Sequence, residues 1–200
     1  MSPAIGPMNC EPSAPLDAFN RMSGSPAKSA PCLGFLTVIE QAELGLLGGY
    51  LLLNAAGRPL EFHCTAPVKA NRTQQILYGP TLEPYLYGEQ IGQTLLARSQ
   101  LVPLVVCTDL AAVLAAREHV AFPMVQVLAD DSSRDGMEAH AMTPFELAAN
   151  RVVVATGFAA DSERIRAAWP AQADHLDLRE PFVRIREALE EAQKSTRQAA

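Results

Sequence analysis

Residues 34 to 129 string together apolar runs of strand length: GFLTVIE, GLLGGYLLLN, PLEFHCT, LVPLVVCTD and VAFPMVQVLAD, with a long helical passage between the third and the fourth. Runs this short, divided by turn residues and helical periods, bury their apolar faces together only as a sheet covered by helices. The expected fold is α/β: a mixed sheet with three antiparallel N-terminal strands, followed by alternating helices and strands. Strand one is read over Leu33 to Ile39, ending at Glu40, and strand two enters through Gly48, Gly49 and Tyr50 and runs to Leu53. Asn54 to Gly57 makes the turn, with Gly57 able to take the positive φ a hairpin needs. Strand three is Leu60 to Thr65, alternating Leu60, Phe62 and Cys64 with Glu61, His63 and Thr65.

Asn71 is the expected N-cap of RTQQILY, and a longer helix is expected from near Thr81 to Ser99. Leu101 to Cys107 is apolar almost throughout, the pattern of an interior strand covered on both faces. Thr108 and Asp109 are read as the cap of LAAVLAAREH, with Asp109 at its positive end. Ala121 to Ala129 is a strand and residues 130 to 136 a solvated loop. A short helix is expected near Thr143, a strand over Arg151 to Phe158, a helix over Asp161 to Trp169, and a last helix from Pro181 to about Lys194.

Length and composition bound the rest. With 200 residues, 48% of them hydrophobic, the chain can bury one core, so residues 33–194 are expected to form a single domain. The proline-rich residues 1–32 are expected to be a disordered tail and residues 195–200 to fray. The net charge is −6, and no third of the chain is basic, so charge argues against nucleic acid as a partner. Four cysteines with no C-x-x-C pair fit a reducing, cytoplasmic setting. No signal peptide and no membrane-length apolar run is seen, which argues against a membrane partner.

Between Glu40 and Asp109 the succession VIE, GGYLLLN, GR, LEF, NRTQ and VVCTD resembles the ribonuclease H order: an acidic residue ending strand one, a GGY strand, a GR hairpin, a helix start and a T-D ending strand four. The resemblance implies a ribonuclease H-like fold and converging carboxylates that hold two divalent cations. Its candidates are Glu40 and Asp109, with Asp130 as a third. At the helix position where the family has glutamate, this chain has the neutral Gln74.

Other residues invite chemistry. His63, Cys64, Cys107, His119, His140 and Glu61 are metal-ligating or nucleophilic types, but His63 and Cys64 are adjacent on a strand and point to opposite faces. A Cys107 nucleophile would need His63 beside it and an exposed thiol. Lys69, Arg72, Tyr78, Tyr85 and Tyr87 form a mixed patch of the residue types that anchor protein contacts. The leading reading is a non-catalytic protein that needs no cofactor and works through this patch, on another protein or on itself. The rival is a divalent-metal-dependent nuclease or phosphohydrolase using Glu40, Asp109 and Asp130 with Mg²⁺ or Mn²⁺. A third reading is a small-molecule sensor with a pocket near His63.

Overall fold

A computed structural model describes residues 30–129 and 142–198. The expected tail falls almost wholly outside the described residues, as do Asp130, the 130–136 loop and His140. The described chain is α/β, as expected, with a seven-stranded mixed sheet in the order β3-β2-β1-β4-β5-β7-β6. Strands β1 (Cys32–Gln41), β2 (Gly45–Asn54) and β3 (Pro59–Cys64) are antiparallel neighbours. Strand β4 (Val105–Thr108) then joins the other side of β1 in parallel, and β5 (Met124–Val127) joins β4 in parallel. This agrees with the ribonuclease H-like order anticipated from the sequence.

The sheet is buried on both sides because β1, β4 and β5 alternate between two apolar layers. Leu33, Phe35, Val105, Cys107 and Val125 face one layer, closed by helix α5 (Glu180–Gln198) through Phe182, Ile185 and Leu189. Leu36, Val38, Tyr50, Leu52, Val106 and Met124 face the other. That layer is closed by Leu86, Ile91 and Leu95 of α2, the helical run 82–96, and by Val113, Leu114 and Ala116 of α3 (Ala111–His119). Burial of this kind contributes about 25 cal/mol per Å² of apolar surface, so the two layers dominate stability.

Gly48 and Gly49 let both layers close. A Cβ on Gly48 would lie 2.1 Å from Ile91 Cγ2, and one on Gly49 would lie 2.3 Å from Ile185 Cγ2. Neighbouring residues of a strand point to opposite faces, so this pair admits α2 on one side and α5 on the other. Helix α2 carries a π-helical stretch, Tyr85–Gln93, and Gly88 within it would place a Cβ 2.7 Å from that of Ala115 on α3. Gly92, one turn on, would place a Cβ 3.1 Å from that of Ala116, so both glycines let α2 lie close on α3.

Three local expectations are corrected. Strand β4 begins at Val105: Leu101 and Val102 are exposed, and the chain turns inward only at Pro103 before entering the sheet. Helix α3 is wound as 3₁₀, and Asp109 does not cap it: the N-cap is Leu110, and Thr108 Oγ1 accepts from the Leu110 N–H at 3.2 Å. Near Thr143 there is no helix. Strand β6 (Met142–Leu147) pairs there with β7 (Asn150–Ala155), and Ala148 and Ala149 both take positive φ, 47° and 59°, in a two-residue turn. Pro144 fits because β6 is an edge strand. Helix α4 (Ala160–Ala168) is tied to α3 by Arg117, which donates to both Asp161 oxygens at 2.6 and 3.1 Å.

Candidate functional site

Two acidic residues stand at the carboxyl ends of neighbouring strands, Glu40 within the last residues of β1 and Asp109 just past β4, and the sheet sends them to different places. Glu40 pairs with Leu46 of β2, beyond the point where β1 meets β4. By the alternation along β1 it shares the face of Leu36 and Val38 and looks toward α2. Asp109 follows β4 directly and its side chain takes a hydrogen bond from Arg186 of α5, on the opposite face. Glu40 and Asp109 therefore do not converge, and Asp130 lies outside the described residues.

The family resemblance implies divalent cations here, so the donor set can be tested. At the β1–β4 seam, Asp109 Oδ1 and Thr37 Oγ1 are buried without a hydrogen-bond partner. Only one of the two carries charge, and the other Asp109 oxygen is already held by Arg186. Hard cations require several oxygen ligands, most of them charged. Among the described residues no group of three His, Cys, Asp or Glu side chains could hold a metal ion. The residues present do not fit a two-metal centre.

Around Glu40 the geometry is open. Glu40, Gln41, Lys69, Gln75, Glu83 and Tyr87 border a cavity of about 630 Å³, floored by Leu46 and Leu86. Three segments meet there: the β1–β2 turn, the residues after β3, and the helical hairpin of α1 (Arg72–Tyr78) with α2. The Asn71 cap forms as expected, its side chain taking the Gln74 N–H at 2.8 Å while Gln74 Oε1 takes the Asn71 N–H at 3.0 Å. Gln74 is thus spent on the helix start. Burial, then Glu83 and Glu40, push the Tyr87 phenol above its ordinary pKa. Lys69 donates to the Glu43 carbonyl.

The anticipated contact patch is divided. Tyr78 and Tyr85 stack with ring centroids 4.2 Å apart, Tyr87 borders the cavity, and Arg72 reaches Gln75 at 3.4 Å. His63 is not among the residues that line the Glu40 cavity. Its Nε2 lies 3.0 Å from Glu61, and its ring stacks on buried Tyr50. Burial works to raise the Glu61 pKa, but hydrogen bonds from His63, Ser99 and the Gln100 and Leu101 N–H groups outweigh it and hold the carboxyl below its ordinary value. Glu61 therefore fastens the 99–101 loop to β3. Cys107 is fully buried, and that burial alone pushes its thiol up to about 12, which removes it as a nucleophile. A second cavity, about 310 Å³, lies past β3 between Thr65, Gln90, Thr94 and Arg98.

No protein-family model and no curated protein matches the chain. Solved structures of endonuclease V do. Human ENDOV shares 13% identity at a TM-score of 0.44, over 86% of this chain and 89% of that one. Ciona intestinalis endonuclease V, in complex with a 24mer DNA containing an inosine followed by a ribo-adenosine, shares 10% identity at a TM-score of 0.38, over 86% and 89%. A second structure of the Ciona protein, with a 23mer DNA, shares 10% at 0.35, over 64% and 71%. These likenesses concern the fold. They correct two expectations from the sequence: a purely protein-contacting role, and the dismissal of nucleic acid. These three structures are of endonuclease V, two of them in complex with DNA.

Proposed function

We propose that the chain binds a small polar ligand at the carboxyl end of β1, in the cavity bordered by Glu40, Gln41, Gln75, Glu83 and Tyr87. The cavity carries this reading: its volume, about 630 Å³, lies within the range of small-molecule sites, and side chains from three separate segments converge on it. Open α/β sheets also place ligands outside the carboxyl ends of their strands.

The lining selects the chemistry. Two carboxylates against one lysine, itself engaged with a carbonyl, favour a neutral or singly positive ligand rich in N–H donors over a phosphorylated one. Glutamine amides read the donor–acceptor edges of heterocycles, and a tyrosine ring stacks on them. A nucleoside is the class that meets all three conditions. Because the same base edges can arrive on a strand, single-stranded oligonucleotides form a separate arm of the test.

Thermal unfolding with a panel of nucleosides, nucleoside monophosphates and oligonucleotides tests the reading, since a ligand that binds the folded state alone raises Tm. The expected result is a rise with a nucleoside, smaller with its monophosphate, and lost in Glu40→Gln and in Tyr87→Ala. If no member of the panel stabilises the protein, or stabilisation is indifferent to both substitutions, the cavity is not the site. No described helix is long and apolar enough to cross a membrane. The buried thiols of Cys32, Cys64 and Cys107 support a reducing, cytoplasmic location as part of the same proposal.

A further inference from the structure

The β1–β4 seam carries an inference that does not depend on the cavity. Parallel pairing ends at Leu36↔Thr108, so Thr37 and Asp109 are the next residues on adjacent strands. By alternation both belong to the α5 face, with Phe35 and Cys107 before them. Thr37 is wholly buried, and its Oγ1 and the Asp109 Oδ1 have no hydrogen-bond partner. The Asp109 carboxylate oxygen and the Thr37 hydroxyl stand at neighbouring register positions on one face, each without a hydrogen bond, as the first two oxygens of a hard-cation site would. The chain answers that demand internally, because the other Asp109 oxygen is held by the guanidinium of Arg186.

We propose that Arg186 is the resident cation of the seam, holding Asp109 in place of a metal, and that replacing it with a carboxylate opens a divalent-cation site ligated by Asp109, the new carboxylate and Thr37. A guanidinium at hydrogen-bond distance from Asp109 both uses up a ligand oxygen and repels an incoming ion. Removing it lifts both obstacles.

The test is Mn²⁺ titration of the full chain, read by electron paramagnetic resonance of the free ion and by Tm. The wild type should show no Mn²⁺ binding that depends on Asp109. Arg186→Glu should bind Mn²⁺ at least about tenfold more tightly than the wild type, as expected when a repelling charge becomes a ligand. Adding Asp109→Asn to that chain should abolish the gain, Thr37→Val should weaken it, and Arg186→Lys should still exclude the ion. If Arg186→Glu does not fold, Arg186→Gln, which removes the charge alone, should still bind Mn²⁺ measurably better than the wild type. The proposal is overturned if wild-type protein binds Mn²⁺ and loses it on Asp109→Asn, or if a folded Arg186 variant lacking the positive charge binds no better than the wild type.

Discussion

Asp109 and Glu40 stand at the ends of adjacent strands, yet one is closed and the other open. Asp109 faces the α5 layer, where an arginine meets it and the two residues before it are fully buried. Glu40 faces the α2 layer at a point where β1 has outrun β4, so no strand covers it on that side and a cavity forms instead. A carboxylate is thus paired with a cation in one place and left facing a cavity in the other. The carboxylate alone does not decide the chemistry; the helix laid across it does.

Breaking the closed region should have the largest effect. Ile185→Ala removes the side chain that α5 seats against Gly49, and chemical unfolding should register a loss of about 3 kcal/mol. Arg186→Met should follow, at about 1 to 2 kcal/mol, reduced from the value for a fully buried pair because the Arg186 side chain is 42% exposed. A double-mutant cycle with Asp109→Leu should recover part of that loss; strict additivity would show that the pair is not coupled.

The dryness of the seam can be sharpened by pH. Burial raises the Cys107 thiol from 9.0 to about 12. Between those values the folded chain holds a proton that the unfolded chain releases. The stability this gives is fully present below about pH 9 and is lost as pH rises toward about 12, at a limiting slope of about 1.4 kcal/mol per pH unit. Urea melts across this window should slope less steeply in Cys107→Ala. Equal slopes would mean that water reaches the thiol. The smallest change in stability belongs to the open region: Glu40→Gln should alter unfolding by less than about 0.5 kcal/mol, as surface substitutions do, while lowering nucleoside affinity.

Much of the fold was legible because its signals are local. The hairpin turn at Gly57, the Asn71 cap, and the apolar runs of β1, β2 and β4 each follow from residues within one element. What escaped was set by contacts distant in sequence. Nothing near Thr143 announces a hairpin, since two alanines hold the left-handed turn where asparagine and glycine would have marked it. Asp109 reads as a cap until Arg186, 77 residues later, is found to claim it. The Glu40 cavity was missed because Gln75, Glu83 and Tyr87 gather only once α1 and α2 fold back over the β1–β2 turn. A carboxylate ending a strand longer than its parallel neighbour would have been the available clue.

Gly48 and Gly49 leave the middle of β2 without side chains on either face, so Ile91 and Ile185 press toward one another through little more than a backbone's thickness. A ligand that tilts the helix bearing Tyr87 would push on that membrane-like waist, and the displacement would emerge on the far side at the helix bearing Arg186.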